Sequence, residues 1–230
     1  MKATIVGIVK ETDQVDSYYL EPSSEVSYKP GDFIYLNLPL MKYSDIKGNI
    51  RHFSLSSSPT EGQILRISVK QGVSGFKKTL ASLRIGNIVE VEGPIGVYPW
   101  PYESENQGHV FIAGGIGVTP FRSRLKFNLD TSDKEPLTLL YSNSNLETML
   151  FKDEIENFSK NMESFQFLPI SSQSDGRIDK KLLSKLVDSN KSAVFWLTGP
   201  VGFVTNIEAI LYKLGVDPDR LKTEKFTGYL

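Results

Sequence analysis

Short stretches of alternating apolar and polar residues fill the first hundred positions, and turn formers separate them. Residues 4–10, 17–21, 33–38, 52–56, 65–69 and 88–91 carry the pattern, which suits strands with one buried face. Between them stand Glu21-Pro22-Ser23-Ser24, Lys29-Pro30-Gly31-Asp32, Thr60-Glu61-Gly62 and Arg84-Ile85-Gly86-Asn87. Such residues pre-set or tolerate turn backbone. One helical stretch, residues 75–83, interrupts the strands. Six short strands with frequent turns predict an antiparallel barrel.

After Trp100 the rhythm changes. Residues 102–108 are polar and read as a linker. Apolar runs at 109–113, 137–141, 165–170 and 194–198 then alternate with amphipathic segments at about 120–129, 147–158, 179–187 and 201–214. Strands alternating with helices of this length predict a parallel sheet. Two domains follow, residues 1–101 and 102–230, and a sheet of the second kind binds ligands beyond the carboxyl ends of its strands.

Composition narrows the chemistry. The 230 residues are 40% apolar and 23% charged, with a formal net charge of −1. No basic block is available for nucleic acid. There is no Cys, so disulfides, thiolate nucleophiles and iron–sulfur clusters held by this chain are excluded. The N-terminal apolar run is short, alternates with polar residues and lacks a small-residue cleavage site, so it reads as a strand and not a signal peptide. No stretch approaches the ~18 apolar residues of a membrane span. These features fit a cytoplasmic protein. His52 and His109 fall on predicted strands and are expected to pack; two histidines make a poor metal site.

Two segments carry chemistry. Gly114-Gly115-Ile116-Gly117-Val118-Thr119-Pro120 follows the apolar strand Val110-Phe111-Ile112-Ala113. Its glycines permit a tight turn and close approach of a phosphate. Thr119 suits a helix N-cap and Pro120 a first helical position, so free N–H groups would face a pyrophosphate. This is not the GxGxxG fingerprint, and Ser142-Asn143-Ser144-Asn145 stands where a ribose-binding carboxylate is usual. The other segment, Arg51-His52-Phe53-Ser54-Leu55-Ser56-Ser57, sets a cation, an aromatic ring and hydroxyls on one strand.

Together these segments resemble the ferredoxin–NADP reductase family, and the likeness covers nearly the whole chain. It implies an N-terminal six-stranded Greek-key β-barrel for flavin and a C-terminal α/β Rossmann-like parallel sheet for NAD(P). Arg51 would pair with the flavin pyrophosphate, Phe53 would pack on the isoalloxazine in place of the usual Tyr, and Ser54 would donate to the flavin edge. His52, Ser57 and Val69 belong to the same implied flavin site. Val73-Ser74-Gly75-Phe76-Lys77-Lys78-Thr79-Leu80 resembles the second flavin-phosphate segment, where a helix starts near the pyrophosphate. There Lys77 replaces the usual hydroxyl, with Lys78 and Thr79 beside it, which leaves FAD or FMN open. Gly93-Pro94-Ile95-Gly96 matches the turn that closes the flavin domain, with Tyr98 or Trp100 beside an adenine. On the NAD(P) side the resemblance implies Gly114, Gly115, Gly117, Val118, Thr119, Pro120, Ser142, Ser172 and Arg177. Thr198-Gly199-Pro200 stands for the family's Cys-Gly-Pro. Glu224 and Phe226 in the C-terminal tail would approach the flavin, Glu224 near its N5 edge.

The implied reaction passes a hydride from nicotinamide to flavin, with Ser54, Thr198 and Glu224 nearest the chemistry, then electrons to a separate acceptor such as a ferredoxin or an oxygenase component. NADH is favoured over NADPH, because Gln173 stands where relatives that take the 2′-phosphate carry Arg; Arg177 could compensate. A chain of this length leaves no room for an appended iron–sulfur domain, and the lack of Cys disfavours a pyrimidine-synthesis electron-transfer subunit. Two alternatives stand: a reductase that releases flavin as a substrate, and a silent binding module of the same fold.

Overall fold

The computed structural model describes residues 1–96 and 108–226. It divides into two compact units, Met1–Pro99 with Thr119–Phe127, and Trp100–Val118 with Asn128–Leu230. The expected 101/102 boundary, Tyr98, Trp100 and the tail beyond Phe226 lie outside the described residues.

The first unit is built on six antiparallel strands: β1 (Lys2–Thr12), β2 (Val15–Pro22), β3 (Phe33–Asn37), β4 (Ile50–Ser54), β5 (Leu65–Lys70) and β6 (Ile88–Ile95). They run in the order β4-β3-β6-β1-β2-β5. An antiparallel Leu55–Ile67 bridge, with the Ser56 amide on the Arg66 carbonyl at 2.8 Å, joins the continuation of β4 to β5. The two outer strands thereby touch at one end. Alternate positions fill the interior: Ile5, Leu20, Ile34, Leu36, Leu65 and Ile67 are fully buried. Helix α1 (Gly75–Ser82) begins where Ser74 Oγ accepts the Lys77 amide, the usual N-cap bond. It lays Phe76 and Leu80 against this core.

The second unit holds five parallel strands, β7 (His109–Gly114), β8 (Leu137–Asn143), β9 (Phe165–Ser171), β10 (Val194–Pro200) and β11 (Leu221–Phe226), in the order β11-β10-β7-β8-β9. Helices α2 (Thr119–Thr131), α3 (Lys152–Asn161), α4 (Lys180–Ser189) and α5 (Val201–Lys213) connect them. Strand order reverses about β7, so the turn after β7 sits at the switch point where such sheets take ligands.

Three differences from the sequence reading have physical causes. Strand β11 was not anticipated, because its only buried residue is Leu221 and the rest is charged or half-exposed; its order comes from pairing with β10. Helix α3 starts five residues later than expected. A turn occupies the gap, with the Thr148 amide on Asn145 Oδ1 (2.8 Å), and Phe151 takes a left-handed φ of 61° as N-cap. Thr119 is not the N-cap of α2: a 3-10 turn, Gly115–Val118, runs straight into the helix, Val118 is the cap without a side-chain bond, and Thr119 is the first helical residue.

The two histidines differ in burial. His109 is buried, accepts Trp196 Nε1–H on Nδ1 at 2.9 Å and meets Glu135 through Nε2 at 2.6 Å. His52 is exposed and lies edge-on to Phe33 and Tyr35.

Candidate functional site

Strand β4 sorts the Arg51–Ser57 motif by its two-residue period. Arg51 and Phe53 project to one side, His52 to the other. The Phe53 ring lies 6.0 Å from that of the fully buried Phe76, and the Arg51 guanidinium stands 5.1 Å over the same Phe76 ring. One core residue of α1 thus supports both the cation and the aromatic of β4.

Arg51 is held from several directions. Its Nη1 donates to the carbonyls of Lys47 (2.9 Å), Gly48 (3.2 Å) and Ile50 (2.6 Å), and its Nη2 pairs with Asp45 at 2.9 Å. Asp45 also accepts the amides of Phe76 and Lys47, and these bonds, with Arg51, hold its carboxyl below the usual range. Lys77 is half-buried on the same helix. Burial, and then the neighbouring charges of Lys70 and Arg51, push its ammonium below the normal lysine value. Lys77 on α1 thus feels the charges of Lys70 on β5 and Arg51 on β4. An anion of phosphate size relieves exactly this kind of repulsion, so the residues present fit a flavin phosphate.

Other motif residues serve the fold. Ser57 is buried, with Oγ taking the Tyr28 hydroxyl at 2.9 Å and the Arg66 amide at 3.0 Å. Ser56 Oγ bonds the Arg66 carbonyl and Ser68. Ser54 carries the motif hydroxyl that has no hydrogen bond to protein among the described residues. Val69 points into the barrel core. Thr79 accepts the Tyr43 amide at 3.1 Å, Lys78 is exposed, and Gly93 turns with φ 107° against the Phe33 carbonyl. In the first turn of α1 the Phe76 amide is taken by Asp45 and the Lys77 amide by Ser74.

In the second unit the glycines separate by role. A Cβ on Gly117 would stand 2.3 Å from the Thr198 carbonyl, and one on Gly114 would stand 2.8 Å from the Phe203 ring. Those two glycines serve internal packing. Gly115, at φ 55°, has nothing among the described residues within 4 Å of the corresponding position, so the space beside it is open. Across the sheet Ala113, Thr198 and Glu224 stand abreast on β7, β10 and β11. Thr198 is fully buried, and Phe226 pairs with Pro200. Ser142 faces Gly114 in register. The loop after β9 is held by Asp175, which accepts the Ser171 amide at 2.8 Å, while Ser172 donates its amide to Asn143 at 2.8 Å. Ser172 and Arg177 are exposed there.

Asp45, Lys70 and Phe76 were not singled out from the sequence. Nothing in their local pattern marks them; β4, β5 and α1 meet only in the folded barrel.

Comparison with known proteins agrees with this layout. Residues 8–100 match the oxidoreductase FAD-binding domain family, and residues 111–209 the oxidoreductase NAD-binding domain family. The chain belongs to the ferredoxin–NADP reductase-like family and is an FAD- and NAD-binding oxidoreductase module. It is 29% identical to Flavohemoprotein A of Dictyostelium discoideum over 95% of this chain and 58% of that protein, so it spans under two thirds of that relative. The FAD/NAD-binding domain of nitric oxide dioxygenase from Vibrio cholerae superposes with a TM-score of 0.81 at 23% identity, covering 98% of each chain. Ferredoxin–NADP+ reductase from Plasmodium falciparum gives 0.79 at 18%, covering 98% of this chain and 95% of that one. No helix among the described residues is long and apolar enough to cross a membrane.

Proposed function

We propose that this chain takes a hydride from NADH onto bound FAD and passes electrons to a separate acceptor. The flavin function is assigned to residues 1–101 and the nicotinamide function to 102–230. The observation that carries the reading is the seating of the Arg51 guanidinium and the Phe53 ring on one and the same Phe76 ring of α1. Arg51 and Lys77 hold the flavin phosphate, Phe53 packs on the ring and Ser54 donates its hydroxyl to the ring's polar edge. Gly115 admits the dinucleotide pyrophosphate, and Thr198 and Glu224 line the nicotinamide side. FAD, when bound, supplies the hydride acceptor and can release electrons singly. The protein's part is to orient and to exclude water.

NADH is favoured because the loop after β9 offers a neutral Gln173 and the carboxylate of Asp175 where a 2′-phosphate wants cations. The similarity to Flavohemoprotein A makes a haem protein the favoured acceptor class. A cysteine-free chain suits the cytoplasm, where thiols stay reduced and disulfides seldom form.

The test is a desalted preparation examined for a flavin spectrum. Retained colour that bleaches anaerobically with NADH faster than with NADPH supports the reading. Colourless protein that oxidises NADH only with added flavin favours a flavin reductase. No nicotinamide oxidation with any flavin or dye ends it.

A further inference from the structure

Residues 43–49 are seated at once on the start of α1 and on Arg51. Asp45 Oδ1 accepts the Lys47 amide and Arg51 Nη2, each at 2.9 Å, and Oδ2 accepts the Phe76 amide at 2.8 Å. The Asp45 side chain is only 5% exposed. The Tyr43 amide donates to Thr79 Oγ1 at 3.1 Å, and the carbonyls of Lys47 and Gly48 take Arg51 Nη1.

Gly75 makes room for this seat. A Cβ there would stand 2.0 Å from the Ser44 carbonyl oxygen and 2.8 Å from that of Tyr43, so α1 opens with the one residue that lets the segment lie against it. Glycine is a poor helix former. The Asp45 carboxylate bridges two elements. It ties a guanidinium on a strand to the first turn of a helix, and it leaves Arg51 Nε–H without a hydrogen bond among the described residues. Arginine loses much rotamer freedom when a ligand immobilises it; here that freedom is lost on folding, before any ligand arrives.

We propose that Asp45 is a positioning residue for flavin phosphate, fixing the Arg51 guanidinium so that its uncommitted Nε edge is preset for a phosphate oxygen. The proposal rests on the flavin reading of Arg51 given above.

The test titrates apoprotein with FAD and with riboflavin, which has the same ring and no phosphate, following flavin fluorescence. Asp45→Asn should weaken FAD binding about ten- to a hundredfold, the range of a lost charge-assisted hydrogen bond, with riboflavin affinity unchanged. The double variant with Arg51→Ala should bind FAD no more weakly than Arg51→Ala alone, since Asp45 acts through Arg51. Asp45→Glu keeps the charge but misplaces it, and should lose FAD affinity in the same direction if Asp45→Asn fails to fold. Unchanged or tighter FAD binding in these variants would overturn the proposal; tighter binding would mean the carboxylate competes with phosphate. Equal loss of both flavins would reduce Asp45 to a structural role. If Arg51→Ala itself leaves the preference for FAD over riboflavin intact, the flavin-phosphate reading fails, and the Asp45 proposal with it.

Discussion

Residue by residue, the Gly-rich segment shows how one motif divides its labour. Gly117 is pinned by the Thr198 carbonyl at 2.3 Å from its ideal Cβ, so Gly117→Ala must push two backbones apart. Overpacking of this kind costs about 1–3 kcal/mol, and a lower thermal midpoint without any ligand present is the expected result. A Gly117→Val variant therefore reports on the fold before it reports on a dinucleotide. Gly115→Asn is the cleaner probe, because Asn tolerates φ near 55° and only adds a side chain to open space. Its melting temperature should stay near wild type while the KM for NADH rises. An unchanged KM would place the pyrophosphate elsewhere. The Arg51 motif was legible as a group, yet its hydroxyls were not separable in sequence. Ser57 and Ser54 are both serines on a polar run, and only the Tyr28 and Arg66 contacts show that the first is consumed by the fold.

Among the elements, β11 carries the most weight for its size. Its pairing with β10 sets Glu224 abreast of Thr198, so the candidate tail residue is placed by a strand and not by a loose terminus. Leu221 anchors that strand at 7% exposure. Leu221→Ala should lower stability by about 2 kcal/mol or somewhat more, the low end for a buried Leu, readable as a shift in urea midpoint. A loss within error would mean that the backbone ladder alone holds β11. The alternation of Leu221 to Phe226 is too charged to announce a strand, since an edge strand needs only one apolar anchor and a neighbour's free backbone. Buried strands such as β7 and β10, apolar at nearly every position, were plain from sequence for the opposite reason.

On the scale of the whole molecule, the first unit draws Thr119–Phe127 into itself from beyond residue 100. Arg122, 2% exposed, donates to both carboxylate oxygens of Glu61 and to the Ser56 carbonyl at 2.9 Å, and Ser123 Oγ donates to the Ser57 carbonyl at 2.6 Å. A fragment of residues 1–101 loses those donors. It should unfold at a lower temperature than the barrel signal of the full chain; equal midpoints would show the Arg122 cluster to be dispensable. The same pair bears on acid stability. Burial pushes the Glu61 carboxyl up, but the bonds from Arg122 and the Ser58 amide outweigh it and leave the group below its usual value. A depressed folded pKa contributes stability above the unfolded value, near pH 4.3, which is lost as pH falls through the folded one. Wild type should therefore lose stability below about pH 4.3 more steeply than Glu61→Gln. Parallel curves for the two proteins would remove Glu61 from the account.

The amino-acid order alone determined the two kinds of sheet and the switch from two-residue to helical periodicity after Trp100, and it marked the two segments proposed to meet phosphates. Local chemistry suffices for these, because period, turn residues and glycine spacing are read within a dozen positions. Tertiary structure decided which members of each motif the fold uses in its own hydrogen bonds and packing. Asp45 reaching Arg51 and Phe76, Lys70 joining Lys77, Gly117 yielding to Thr198 and β11 finding β10 all depend on residues brought together from separate strands, and no spacing along the chain encodes such meetings.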